Sequence, residues 1–210
     1  MLRRLLALTL VFGSVGLFSS GIAQDNRPVA PRGALVVDDF EDEKPGAFPE
    51  GWVFVKSERK VISYEESRDT GEEVTIREED GNRFVRLSTK DAALRYSKRN
   101  GVDFDWSLKE HPRLKWRWRA LKLPEGASER DQNDVGGAVY VTFGKDWLGR
   151  PKSIKYTYSS SLPVGTVVDF GSLYVLVVDS ATEPRLGKWK TVQRNVMHDY
   201  RQIFGGRPPN

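Results

Sequence analysis

Between Arg113 and Phe143 the chain reads RLKWRWRALKLPEG, a polar loop, then DVGGAVYVTF, and this stretch limits the fold more than any other. Side chains along a strand point alternately to opposite faces. A strand over 113–120 therefore puts Leu114, Trp116, Trp118 and Ala120 on one face and Arg113, Lys115, Arg117 and Arg119 on the other. One face belongs in a core and the other in water. Val139, Val141 and Phe143 against Tyr140 and Thr142 repeat the scheme, as a half-buried antiparallel sheet requires. Pro124 and Gly126 break the pattern between the two, so they are expected as neighbouring strands joined by a turn.

Short strands are also predicted over Ala34–Asp38, Trp52–Val55, Lys60–Tyr64, Glu73–Arg77, Arg83–Ser88, Ala93–Ser97, Ser153–Tyr158, Thr166–Asp169 and Leu173–Val178. They are separated by Gly, Pro, Asn and Ser clusters, which is how a β-sandwich or barrel reads. The fold class expected is mostly β, an antiparallel β-sandwich of jelly-roll type with a short C-terminal helix. Asn195 caps that helix, Val196, Tyr200, Ile203 and Phe204 share one of its faces, and Gly205 ends it.

The N-terminus carries the three parts of an export signal: Arg3 and Arg4, an apolar run from Leu5 to Phe18, and small residues at Gly21-Ile22-Ala23. Cleavage is expected after Ala23. The apolar run is shorter than the roughly 20 residues that span a bilayer, so no stable span is expected afterwards. The domain plan is a signal peptide over 1–23, a flexible lead over 24–33 and one β-sandwich domain over 34–210. Arg3 and Arg4 leave with the leader, halving the formal net charge of +4. Such a balance lacks the dense basic footprint that duplex nucleic acid demands, and nucleic acid is not an expected partner. With no cysteine in the chain, disulfides and thiol chemistry are excluded. The expected location is the periplasm or the exterior.

Motifs for chemistry are sparse. The two histidines, His111 and His198, have no His or Cys at metal-ligand spacing, which argues against a zinc site. Asp38, Asp39, Glu41 and Asp42 gather hard oxygen ligands, as a structural calcium would need; the competing reading is a solvated acidic turn. No other cofactor is expected. Trp116/Trp118 and Tyr156/Tyr158 are either sandwich core, the favoured reading, or a platform for stacking sugar rings. If the former, their neighbours are exposed. Arg117 and Arg119, with Tyr140 and Thr142 on one adjoining strand, Lys155 on another and Asp134 at the mouth, are then expected to line a ligand-binding sheet face. Guanidinium groups hold carboxylate, sulfate or phosphate bidentately.

The segments WRWRALKLPEGASERD, NDVGGAVYVTF and IKYTYSSSLPVGT together resemble a bacterial family known as domain of unknown function 3047, over Val37 to about Pro209. That resemblance implies an exported, mostly β domain and assigns no activity. It also implies a further strand region beyond the FGG-x-PP turn, so the sandwich is expected to lack a final strand and to leave a C-terminal sheet edge open to a protein partner. More loosely, Asp38-Asp39-Phe40-Glu41, Pro49-Glu50-Gly51-Trp52 and Lys122-Leu123-Pro124-Glu125-Gly126 are similar to features of concanavalin-like jelly rolls. The glucanases among those place carboxylates at E-x-D-x-E or E-x-D-x-x-E spacing, which this chain lacks after its central strands. No catalytic residue is assigned. The function expected is an exported binding module for carbohydrate or another polyhydroxylated or acidic ligand. The alternatives are a glycan-active hydrolase or lyase using dispersed carboxylates, and an envelope assembly protein that pairs through an open sheet edge.

Overall fold

The computed structural model describes residues 33–57, 60–62, 72–90, 93–131, 135–182 and 186–208. The expected leader, the lead up to Arg32, and Asp134 lie outside the described residues.

Ten strands and one helix are described: β1 (Phe54–Ser57), β2 (Lys60–Ile62), β3 (Glu73–Glu79), β4 (Asn82–Ser88), β5 (Arg113–Trp118), β6 (Gly137–Lys145), β7 (Pro151–Ser159), β8 (Val167–Asp169), β9 (Leu173–Ser180), β10 (Lys190–Asn195) and α1 (Val196–Phe204). β1–β2, β3–β4 and β5–β10 form two-stranded sheets, and the fourth sheet has the order β6-β7-β9-β8. The mostly β sandwich expected from the sequence is borne out. Its β7–β9 pair is parallel while the other pairs are antiparallel, so this sheet departs from the wholly antiparallel arrangement of a jelly roll.

The main core lies between β5–β10 and the four-stranded sheet. Leu114, Trp116, Trp118 and Val192 face Val139, Val141, Phe143, Ile154, Tyr156, Tyr158 and Leu176, and Val196 and Tyr200 of α1 complete it. Ring centroids of Trp116 and Tyr156 are 5.6 Å apart, and those of Trp118 and Tyr158 5.7 Å. Trp116 and Tyr156 are fully buried, so the aromatic pairs are core and not a sugar platform. Burying such rings contributes about 2–3 kcal/mol each. A second core gathers Phe40, Trp52, Val74, Ile76, Val85 and Tyr96 beside the β3–β4 hairpin. That hairpin turns through Asp80 (φ 52°) and Gly81 (φ 75°), the two successive left-handed residues that a tight turn matching strand twist requires.

Three expectations are corrected. β5 does not neighbour β6: it pairs with β10, Trp116 opposite Val192 and Trp118 opposite Lys190, while β6 pairs with β7 in the opposing sheet. The connection from Arg119 to Gly136 is too long for a hairpin and carries the chain from one layer to the other. Ala34–Asp38 is not a strand. Of Ala93–Ser97, only Ser97 pairs, in an isolated bridge with Val53.

The helix is as expected. Asn195 Oδ1 accepts the His198 amide at 3.0 Å, satisfying a first-turn donor, and Gly205 (φ 69°) closes the last turn by donating to the Arg201 carbonyl at 3.2 Å. Its buried Asp199 accepts from Tyr156 Oη at 2.9 Å and from Arg194 at 2.7 and 3.0 Å, which ties helix, β7 and β10 together. Among the described residues no helix is long and apolar enough to cross a membrane.

Candidate functional site

Because β5 alternates, the residues opposite its core face form a row of cations: Arg113, Lys115 and Arg117, spaced about 7 Å apart by the strand rise, with Arg119 just past the strand end. β10 adds Asn195, Gln193 and Thr191 directly across from Arg113, Lys115 and Arg117. Arg113, Lys115, Thr191 and Gln193 are exposed. This two-stranded face is cationic on one strand and lined with amide and hydroxyl groups on the other.

Trp189, the residue before β10, closes the end of the row. Its ring meets Phe84 edge-on at 5.2 Å, and the guanidinium groups of Arg119 and Arg117 lie 4.7 and 5.8 Å from its centroid. Its indole nitrogen is buried and donates to no acceptor among the described residues. The two arginines differ in their partners. Arg119 grips the Glu79 carboxylate with both terminal nitrogens, at 2.8 and 3.3 Å, so its charge is spent on joining β5 to the β3–β4 hairpin. Among the described residues Arg117 has no carboxylate partner, and neither do Arg113 and Lys115. Burial holds the Arg117 guanidinium below the ordinary arginine value while leaving it a cation. An unpaired, half-buried guanidinium against an aromatic face can take an anionic oxygen pair bidentately.

Arg117 and Arg119 thus share a face as the sequence predicted, and Tyr140, Thr142 and Lys155 do not join them. Tyr140 and Lys155 stand opposite each other on β6 and β7, on the side of the four-stranded sheet turned away from the main core. That side is not exposed: Lys155 is 3% accessible, and Thr157, Val175 and Val177 are buried with it. Tyr140 lies between two cations, 4.8 Å from Arg95 and 5.4 Å from Lys155. Burial pushes its phenol above the ordinary tyrosine value, with Arg95 opposing. Thr142 shares a buried hydroxyl contact of 2.9 Å with Ser153. These residues are separated from Arg117 because β5 belongs to the other layer.

The acidic turn does not gather as a calcium site. Asp38 accepts from the Phe40 amide at 3.0 Å, the Trp52 indole at 2.7 Å and the Lys98 ammonium at 2.7 Å. Asp39 accepts from the Glu41 amide, and Glu41 accepts from the Arg83 amide, at 3.2 Å each. Among the described residues no three His, Asp or Glu side chains converge on a common point. Each of the three carboxylates Asp38, Asp39 and Glu41 is instead occupied by protein donors.

Sequence reasoning missed Trp189 and the role of Lys115. Trp189 stands alone in a polar stretch, LGKWKT, and an isolated tryptophan between lysines is the only local signal it gives. Elsewhere, a hollow of about 550 Å³ is lined by the β5–β6 connection together with Ser160, Ser161 and Leu186. Glu129 of the same connection is fully buried, and neither of its carboxylate oxygens has a hydrogen-bond partner among the described residues.

Residues 51–210 match the model of a family described as a protein of unknown function, DUF3047, and the chain belongs to that family. Neither a curated protein nor a solved structure matches the chain.

Proposed function

We propose that this member of the family is an exported binding module that holds an acidic, polyhydroxylated ligand, an acidic glycan foremost, on the outer face of β5–β10. One observation carries the reading: Arg117 keeps a half-buried guanidinium against the Trp189 ring with no carboxylate partner among the described residues, while Arg119 beside it is neutralised by Glu79. An ion pair left unformed in so partly dried a place favours an incoming anion. Lys115 and Arg113 extend positive charge along the row, and Thr191 and Gln193 offer hydrogen bonds to hydroxyl groups.

Isothermal titration of the protein against neutral, uronate-containing and sulfated oligosaccharides tests this. Binding confined to the acidic ligands is expected, and Arg117→Ala should weaken it by roughly ten- to a hundredfold, the cost of one charged contact of about 1.5–3 kcal/mol. Equal binding of neutral and acidic ligands, or an Arg117→Ala variant that binds as well as the parent, would remove the reading. Release of reducing ends in the same mixtures would favour the glycan-active alternative.

Export is part of the proposal and rests on Arg3-Arg4, the apolar run Leu5 to Phe18 and Gly21-Ile22-Ala23. The exported protein should begin at Gln24 by mass spectrometry. A second reading has one observation of its own: β6, nine residues long, is an edge strand of the four-stranded sheet. A partner strand adding there would make this an assembly component, and would co-purify in stoichiometric amount.

A further inference from the structure

The β6–β7 turn displays the most exposed large apolar side chain among the described residues, Trp147, with Leu148 beside it. Trp147 is 89% accessible and Leu148 54%. The turn that carries them is held firmly. Asp146 Oδ1 accepts the Leu148 and Arg150 amides at 2.9 and 2.8 Å, its Oδ2 takes Arg150 Nε at 2.7 Å, and its own amide donates to the Arg150 carbonyl at 2.8 Å. A solvated tryptophan on a rigid, convex tip buries nothing within its own fold. It therefore contributes no packing to the domain that displays it.

The surroundings indicate what it meets. Lys145 and Arg150 flank the tip and are exposed, and Lys152 follows, its ammonium 5.3 Å from the Phe204 ring. A second turn leaves the same end of the sheet, since β7 and β9 run parallel with Ser153 beside Leu173 and the Ser153 amide donating to the Ser172 carbonyl at 2.8 Å. That turn presents Phe170, 38% accessible. The two carboxylates at this end are drawn into local bonds, Asp146 as described and Asp169 by the Gly171 amide and the Tyr174 hydroxyl. The sheet end thus shows aromatic and aliphatic tips projecting beyond two lysines, Lys145 and Lys152, and the Asp146–Arg150 ion pair.

A stable protein interface needs about 800 Å² from each partner, far more than a tip of two side chains supplies. A bilayer needs no matching cavity. Tryptophan partitions to the headgroup level, and nearby Lys and Arg gain from anionic lipid. We infer that the β6–β7 turn docks this domain on an anionic membrane surface, with Trp147 and Leu148 entering the headgroup boundary and the flanking Lys145 and Lys152 on the side of the lipid phosphates. This inference is independent of the ligand face on β5–β10.

The chain has no cysteine, so Leu148→Cys accepts a single environment-sensitive fluorophore on the full chain. With vesicles of phosphatidylglycerol and phosphatidylethanolamine at low salt, the emission should shift to the blue; with phosphatidylcholine vesicles, or at high salt, the shift should need far more lipid. Adding Trp147→Ala should raise the lipid needed roughly tenfold, as expected for withdrawing one ring from an apolar layer. The same label at Leu121→Cys, an exposed site on another loop, should stay in water, which separates docking by the tip from adsorption through the apolar N-terminal run. A label at 148 that remains solvated on saturating anionic vesicles overturns the proposal, as does equal response at 121. Protection of the label by self-association without lipid would assign the tip to a second copy of the chain and overturn it equally.

Discussion

Trp118 donates its indole N–H to the Asp179 carboxylate at 3.0 Å, a contact that crosses the sandwich from β5 to β9. Asp179 is almost fully buried, and its other oxygen takes the Lys190 ammonium at 2.8 Å and the Ser180 amide at 3.0 Å. One carboxylate thus satisfies donors from three strands. Trp118→Ala should destabilise by about 3–5 kcal/mol through the cavity alone. Asp179→Ala should cost a similar amount, about 2–4 kcal/mol, because it strands a buried indole donor and a partly buried ammonium. Urea unfolding measures both; a loss under 1 kcal/mol in either, on the scale of a surface change, would refute this account.

The two arginines at the end of β5 should separate stability from binding. Arg119→Ala removes a partly exposed ion pair and ring contacts to Trp189 and Phe84, and should lower stability by about 0.5–1.5 kcal/mol. Arg117→Ala should leave the melt within about 0.5 kcal/mol of the parent, with its effect on acidic ligands alone. The reverse pattern in thermal melts and titrations would mean that Arg117 is the structural residue.

Three phenols point to an alkaline limit on stability. Tyr156 is raised well above the ordinary value by burial and by the Asp199 carboxylate it donates to, against the opposing Arg194. Tyr174 is raised by its bond to Asp169, and Tyr140 by burial. A folded value above the unfolded one of about 10 means that the native state keeps protons the unfolded chain has lost. The contribution of these phenols to stability should therefore be constant below about pH 10 and be lost as pH rises beyond it. Tyr156→Phe should be less stable at neutral pH, by about 1.5–3 kcal/mol for a bond to a charged acceptor, and should show a shallower alkaline decline. Denaturant titrations from pH 8 to 11 would expose an unchanged slope, which would contradict this.

Glu129 makes the opposite case. A buried carboxylate with neither oxygen paired is a burden on the fold, so Glu129→Leu should raise stability by about 1–3 kcal/mol in the absence of any ligand. A drop in melting temperature would show that the Glu129 carboxylate supports the fold and would contradict this account.

What the sequence made legible follows from where alternation carries information. β5 was readable because its Trp and Leu side chains face a core and its Arg and Lys side chains face water. β10 was not, since KTVQRN offers one apolar residue, Val192, on a strand whose other face is solvated. The β5–β10 pairing joins strands far apart in the chain, which local propensity does not register. Lys155 misled for a different reason: β7 is covered on both faces, so a lysine there looks solvent-facing by period but is buried. Half the candidate site, Arg117 and Arg119, came from periodicity. Trp189, which completes it, came only from the pairing.

The register of β5 with β10 also sets a timetable. Arg113 meets Asn195 and Trp118 meets Lys190, so the strand that presents the central tryptophans waits until β10, far downstream of it, is synthesised before it gains a neighbour. Until then Trp116 and Trp118 lie on an unclosed layer, a nascent chain with its stickiest surface uncovered. Contacts of such long sequence separation slow folding and lengthen that interval. Chains stopped short of β10 should be dependent on holding factors and prone to clump, whatever their other sheets have achieved.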